Sequence, residues 1–308
     1  MSIVVPTHNT RDLTLACLRS ITRAPNDGLE VVVVDDGSLD DTAARVRASF
    51  PATKIIRVEH AGGFTAAANR GLQESSGELL FLLNSDTEIA PEVPSRFSEA
   101  FADDSCLGAA GAALHFADGR PQWSGGVEPS MLWMFALTTG VTALLDKVPI
   151  YRRLHPLYRS SPVDWVTGAA MVIRRSAWVE VGALDERFLF YCQDLDYCLR
   201  LRDAGWKVAV LPEIKVLHHA GATISRSPGS TAATRYNPEL LWKDLVHFTE
   251  KRYGPRRAAN VARAMRIGAW LRVLSRRVWA NFLSEQKRGR WDRDTLAFAR
   301  ALSALSEL

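Results

Sequence analysis

The sequence predicts an α/β fold with a mostly parallel central sheet and helices on both faces, followed by a helical C-terminal region. Three observations carry that expectation. Four short apolar runs bounded by turn residues alternate with helical patterns before Asn84. The run Leu79–Leu83 is apolar throughout, as a strand covered on both faces must be, and it stops abruptly at Asn84-Ser85-Asp86. From about Tyr236 onward the pattern becomes helical and arginine-rich.

The elements follow in order. Ser2 to Val5 reads as a buried strand ended by Pro6, and Leu13, Cys17 and Ile21 then recur at helical spacing with Thr10 as N-cap. Leu29 to Val34 is a second strand, closed by Asp35-Asp36-Gly37-Ser38, and Ser38 with Asp41 has capping-box spacing for a helix through Phe50. Lys54 to Val58 is a third strand. Ala61-Gly62-Gly63-Phe64 opens a helix of small residues, Thr65 to Leu72, able to pack close to the sheet, and the strand from Leu79 follows.

After Leu114 the alternation stops. Asp118-Gly119 is a hairpin signal. Met131 to Leu145 is uncharged and apolar, too short to span a bilayer, so it is either a buried core helix or an apolar surface for a lipid-linked ligand. Val163 to Arg175 returns to a strand pattern, Leu195 to Ala204 is a helix stopped by Gly205, and Lys207–Leu211 and Ile214–His218 are short strands around Pro212. In the C-terminal helices, Ile267, Leu271, Leu274, Val278 and Phe282 form one stripe with Arg272 and Arg276 opposite. Such a helix either lies on an anionic membrane or docks on its own domain with its arginines in water.

Composition narrows the class. With 308 residues, 47% hydrophobic and 23% charged, the chain suits a globular protein of one large domain plus an appendage. The net charge of +4 is uneven: residues 250–293 hold 13 Lys and Arg against three acids, while the rest holds 25 against 31. Nucleic acid is not expected as a partner, since no recognition motif accompanies the basic region. Four cysteines without CxxC spacing fit a reduced, cytoplasmic protein. No signal peptide and no transmembrane run are expected, because Ile3–Val5 already reads as a strand and no 18-residue apolar stretch occurs.

Acidic residues gather where strands or loops end: Asp35-Asp36, Asp86, and Asp194 with Asp196. In open α/β sheets ligands bind beyond the carboxyl ends of strands, so Asp86 either holds a divalent cation for a diphosphate or caps the next helix. The first strand leads to Pro6-Thr7-His8-Asn9 rather than GxGxxG, which disfavours a Rossmann dinucleotide site, and no P-loop is present.

Seven stretches then carry a family likeness: VVPTHN (Val4–Asn9), VVVDDGS (Val32–Ser38), GGFTAAANRG (Gly62–Gly71), LLNSDTE (Leu82–Glu88), TGAAMVIRR (Thr167–Arg175), DERFLFYCQDLDYCLRLRDAGWKV (Asp185–Val208) and VLHHAG (Val216–Gly221). In this order and spacing the chain resembles family 2 glycosyltransferases of the GT-A fold, near the bacterial rhamnosyltransferase-like branch. The resemblance does not extend with equal specificity beyond residue 221.

The resemblance implies roles. Pro6 and His8 would flank a nucleobase and Asp36 would accept its imide N–H. Gly63 and Asn69 would lie beneath the nucleotide-sugar with Ser85, and Asp86 would bind a Mg²⁺ or Mn²⁺ ion bridging the diphosphate. His218 matches a metal-binding histidine, with His219 as the competing ring. Asp194 would be the general base, taking the acceptor hydroxyl's proton during attack on the anomeric carbon. Trp165, Gly168, Gln193 and Asp196 would line the acceptor side, Asp196 having the alternative of pairing with Arg200. The chain departs from the family at Asn84, where a first acid could stand, at Gln193, commonly Glu, and at Ala61, commonly Asn.

The implied organisation is a glycosyltransferase domain over residues 1–225 and a basic helical region over 226–308, possible surface for an anionic membrane. The implied reaction is inverting, metal-dependent transfer from a nucleoside-diphosphate sugar to a saccharide or polyprenyl-linked acceptor in cell-surface polysaccharide synthesis. The donor would be deoxythymidine-diphosphate rhamnose or a UDP-sugar such as galactofuranose, glucose or N-acetylglucosamine. A catalytically silent sugar-nucleotide-binding module is the alternative of another class. The expected location is cytoplasmic, reaching the inner face of the plasma membrane.

Overall fold

Apolar β-branched runs become the centre of one sheet. In the computed structural model, which describes residues 1–24, 28–142, 163–188, 190–219 and 237–307, β1 (Ser2–Thr7) is buried along its whole length. It pairs in parallel with β2 (Glu30–Asp36) on one side, Ile3 opposite Val31, and with β4 (Leu79–Leu83) on the other, Ile3 opposite Phe81. β3 (Lys54–Val58) continues the parallel set beyond β2. With β5 (Thr87–Ile89), β6 (Leu107–His115), β9 (Ala170–Arg174) and β10 (Lys207–His218), the order is β3-β2-β1-β4-β9-β6-β10-β5. Only β9 and β5 run against their neighbours. Chain order reverses at β1, the switch point where open sheets bind ligands. A two-stranded patch, β7 (Gly125–Gly126) with β8 (Trp165–Val166), lies apart from the main sheet.

β10 corrects one expectation, being a single 12-residue strand rather than two. Its parallel pairing with β6 slips between Leu211 and Lys215. Pro212 has no N–H to give the ladder, so the strand bulges there and resumes.

Helices α1 (Arg11–Ile21), α2 (Thr42–Ser49), α3 (Phe64–Gln73) and α4 (Val93–Asp103) alternate with the first strands. α3 comes as close to the sheet as its small residues allow: a Cβ on Gly71 would sit 2.3 Å from Val4 Cγ1 and 2.9 Å from Val34 Cγ2. The caps differ from expectation. Thr10 makes no capping bond, its hydroxyl instead meeting Thr7 and Ser85. Ser38 receives the Asn9 amide, while Asp40 takes the Thr42 amide ahead of α2. The four cysteines are free thiols.

The chain divides into two compact units, residues 1–128 with 156–220, and residues 129–155 with 221–308. The first holds the sheet, together with α6 (Arg175–Val181) and α7 (Gln193–Asp203), which ends before Gly205 as its sequence predicts. The second is helical: α5 (Met131–Thr139), α8 (Pro238–Tyr253), α9 (Pro255–Ala280) and α10 (Glu285–Ser306). Trp242 of α8 is fully buried and stacks on Phe298 of α10 at 6.0 Å between centroids. α5 is half-buried, with Met134 inside and Leu132 75% exposed, and the rest of that apolar stretch lies outside the described residues. The domain boundary at 225 and Ala220-Gly221 of the VLHHAG stretch also lie outside them. Among the described residues no helix is long and apolar enough to cross a membrane.

Candidate active site

Parallel strands deliver their carboxyl ends to one edge, and short bonds knit those ends together. The Asn84 amide donates to Ala169 O at 2.9 Å, joining the end of β4 to the loop before β9. One residue back, the Gly168 amide donates to Asp194 Oδ2 at 2.9 Å. On the other side, the His219 amide donates to Asp86 O at 2.8 Å. Asp86, Gly168, Asp194 and His218 therefore belong to one neighbourhood.

β5 and β10 run antiparallel with Thr87 opposite His218, and this register carries the His218 ring to Asp86. His218 Nε2 lies 3.3 Å from Asp86 Oδ1, with both side chains largely buried. The far side of the ring is held by Gln122, a residue the sequence reading did not single out. Gln122 Nε2 donates to the backbone oxygen of His218 at 2.6 Å, so its Oε1 is the atom that faces His218 Nδ1, at 2.9 Å. Nδ1 must then carry the hydrogen, and in the neutral ring Nε2 presents a lone pair to the carboxylate. The alternative ring is engaged elsewhere, since His219 Nε2 meets Glu88 Oε1 at 2.9 Å. Among the described residues no group of three or more His, Cys, Asp or Glu side chains gathers as a metal cage. Asp86 and His218 are the oxygen and nitrogen donors that face each other at this point.

Asp194 stands in the first turn of α7. Its Oδ2 accepts from the Gly168 amide and its Oδ1 from the Leu195 amide, each at 2.9 Å. Burial pushes the carboxyl above the ordinary aspartate range, and the two amides with the Thr167 hydroxyl pull part of the way back. The chain enters α7 through Cys192, a non-glycine residue with φ of +63°, an arrangement that costs roughly 1–3 kcal/mol and collects at functional sites. Next to Asp194, Gln193 is 6% exposed and its Oε1 is buried without a hydrogen-bond partner. Asn84 Oδ1 is likewise a buried acceptor without a partner.

Two of the residues expected around a nucleobase, His8 and Asp36, also meet. His8 Nδ1 lies 2.6 Å from Asp36 O, and Asn9 Nδ2 lies 2.9 Å from His8 Nε2. Pro6 is buried in β1 while His8 is exposed. Asp36 accepts the Gly62 and Gly63 amides at 2.8 and 2.9 Å, one on each carboxylate oxygen. This fixes Gly63, at φ of +91°, ahead of α3. Asp35 is structural, taking the Ser38 amide at 3.0 Å. A cleft of about 270 Å³ opens between Asp36 and α3, with His60, Arg70 and Glu186 on its walls.

Four residues expected to meet ligand are bonded within the protein. Asn69 donates to Leu184 O and Glu186 Oε1 and accepts from Leu184 N, all at 2.9 Å, so it ties the 184–186 turn to α3. Ser85 meets Thr10 at 3.1 Å. Asp196 pairs with Arg200 at 2.9 Å, which in turn donates to Val181 O and Ala183 O; of its two open roles this is the structural one. Trp165 donates to Val127 O and packs edge-on against Trp123 at 5.2 Å, with part of its ring exposed.

Comparison with known proteins bears on the family and the fold. The family model described as Glycosyl transferase family 2 matches residues 2–178. An N-acetylglucosaminyl-diphospho-decaprenol L-rhamnosyltransferase of Mycobacterium tuberculosis is 29% identical over 240 residues, covering 73% of this chain and 78% of that one. The rhamnosyltransferase WbbL of Escherichia coli is 38% identical over 64 residues, 21% of this chain and 24% of that one. Among solved structures, a mannosyltransferase from Pyrobaculum calidifontis in complex with GDP-Man and Mn²⁺ aligns with a TM-score of 0.56 at 17% identity. That alignment covers 99% of this chain and 85% of the other, and at such identity it speaks for the fold.

Proposed function

The chain belongs to glycosyl transferase family 2 and is a glycosyltransferase of GT-A fold, and from that premise we propose an inverting transfer from a nucleoside-diphosphate sugar to an acceptor hydroxyl. The acceptor O–H attacks the anomeric carbon from the face opposite the nucleotide. The bond from that carbon to the diphosphate oxygen breaks with its electron pair leaving on the diphosphate. The hydroxyl proton passes to Asp194, whose elevated proton affinity suits a general base. Gly168 and Leu195 hold the carboxylate through their amides. Gln193, next to Asp194 on α7, would receive a hydroxyl of the acceptor sugar; its Oε1, a buried acceptor without a donor, supports that role.

Asp86 and His218 supply an oxygen and a nitrogen donor suited to Mg²⁺ or Mn²⁺, and their facing lone pairs fit such an ion. Bound there, it would stabilise charge on the departing diphosphate. Pro6, His8 and Asp36 would meet the base. The observation that carries the proposal is the approach of His218 Nε2 to Asp86 Oδ1 at the edge where Asp194 is also fixed.

The likeness to rhamnosyltransferases supports deoxythymidine-diphosphate rhamnose as donor and a polyprenyl-diphosphate-linked sugar as acceptor, used in polysaccharide synthesis at the inner face of the plasma membrane. Activated sugars, including UDP-galactofuranose, UDP-glucose and UDP-N-acetylglucosamine, are to be offered with Mn²⁺ or Mg²⁺. Thermal stabilisation and release of nucleoside diphosphate are then scored. One donor should raise the melting temperature and be turned over, with turnover lost in Asp194→Asn while binding persists. Binding without turnover by the unmodified protein in the presence of acceptor would leave only a silent binding module.

A further inference from the structure

The outer face of α9 has the composition of an interior. Its 26 residues include seven arginines and no acid. The residues it buries are mainly small: Ala258, Ala262, Gly268, Ala269 and Ala280 among them. Gly268 allows α5 to come close, since a Cβ there would lie 2.3 Å from Thr138 Oγ1. Val261, Met265 and Val273 are also inside, but many of its large apolar side chains point the other way. Ile267 is 58% exposed, Trp270 55%, Leu274 44% and Val278 52%, and Trp279 and Phe282 are more exposed still.

Two of its cations are turned inward instead. The Arg272 guanidinium lies 3.5 Å from the centre of the Phe298 ring and donates to Leu137 O. Arg276 lies 3.8 Å from the centre of the Trp291 ring and donates to Trp291 O and Thr295 Oγ1. The helix thus turns apolar side chains outward and two of its seven arginines inward. Arg256, Arg257, Arg263 and Arg277 of the same helix are exposed beside these apolar side chains. The face continues into a groove of about 490 Å³ lined by Arg266, Ile267, Trp270, Leu302 and Ser306.

A contiguous apolar face of this kind marks an interaction surface. We propose that α9 lies in the interfacial layer of an anionic bilayer, its apolar side chains among the acyl chains and its arginines on lipid phosphates. Charge selects this occupant. A second copy packed face to face would set arginine borders against arginine borders, with no acid on either helix to relieve them. The indoles of Trp270 and Trp279 suit the boundary between headgroup and hydrocarbon. The inference stands apart from the identity of the sugar donor.

The test uses the full chain and vesicles of phosphatidylcholine, with or without 30% phosphatidylglycerol. Sedimentation with the anionic vesicles should exceed that with neutral ones at least tenfold, fall with added salt, and bring a blue shift of tryptophan fluorescence. Trp270→Ser/Leu274→Ser, both exposed positions, should lose at least tenfold in binding while keeping its melting temperature and donor-induced thermal shift. Arg263→Glu/Arg277→Glu should lose binding to anionic vesicles in the same way. Equal sedimentation of the unmodified protein with both vesicle types, or unchanged binding by both variants, overturns the proposal. So does a concentration-dependent dimer that the Trp270/Leu274 variant abolishes, which would assign the face to a second copy.

Discussion

Gln122 Oε1 sits 2.9 Å from His218 Nδ1 while its own amide nitrogen is fixed on the His218 backbone. A glutamine so clamped cannot flip, and it sets which ring nitrogen is left for Asp86. In metal sites such outer partners commonly matter by 10–100-fold in affinity or activity.

Gln122→Leu should therefore weaken Mn²⁺ binding, measured calorimetrically with nucleoside diphosphate present, by about 10–100-fold. Nitrogen-15 NMR of the metal-free protein should show His218 as the Nδ1–H tautomer, and a mixture of tautomers in the variant. Gln122→Glu, which keeps an acceptor at Nδ1, should recover the tautomer. A single unchanged tautomer in Gln122→Leu would show that the ring is oriented by something else.

Asp194 links activity to stability through pH. Burial raises its carboxyl in the folded chain above its unfolded value. Such a group favours folding fully below the unfolded value, near 3.9, and the favour is lost as pH rises through the folded value. At pH 7 the buried carboxylate is thus a destabilising charge. Asp194→Asn should melt higher than the unmodified protein at pH 7, with the advantage shrinking towards pH 4. Its turnover should fall by about 10²–10⁴-fold, the usual contribution of a general base. The acid limb of kcat/KM in the unmodified enzyme should lie above the ordinary aspartate range. A melting difference that does not vary between pH 4 and 7 would contradict this account.

Parts of this arrangement are legible in the residues alone. Leu79–Leu83 ending in Asp86 announces a strand end at a ligand edge, because both the apolar run and its abrupt stop are local. His218 is singled out by family likeness, since nothing local distinguishes it from His219. Gln122 is invisible because its contact depends on the turn after β6 setting it beside β10, a pairing between distant stretches. For α9, periodicity reveals the stripe of Ile267, Leu274 and Val278 but not which way it faces. The small residues on the other side and the rings of Phe298 and Trp291, which receive Arg272 and Arg276, decide that.

Close packing of α3 makes Gly71 a sensitive position. An added methyl would press on Val4 and Val34, both fully buried in adjacent strands of the sheet. Gly71→Ala should destabilise the protein by about 1–3 kcal/mol, the usual penalty for overfilling a core, read as a lower urea midpoint. At Gly289, where nothing lies within 4 Å of an added Cβ, the same change should not lower stability.

Gln193 offers the sharpest separation between folding and acceptor recognition. Its Oε1 is buried with no hydrogen-bond partner, and an unmet acceptor of this kind costs about 1–3 kcal/mol. Gln193→Met keeps the length of the side chain and removes the need. If the oxygen serves only structure, the variant should be at least as stable as the parent and equally active. If it receives an acceptor hydroxyl, stability should be equal or better while the acceptor KM rises by about 5–30-fold, the loss of one hydrogen bond of 1–2 kcal/mol. The KM for the donor should be unchanged. Gln193→Glu should instead place a second carboxylate beside Asp194 and shift the acid limb of the rate profile to higher pH. An unaltered acceptor KM in Gln193→Met would remove Gln193 from the acceptor site and leave Asp194 as the residue of that pair that meets the sugar.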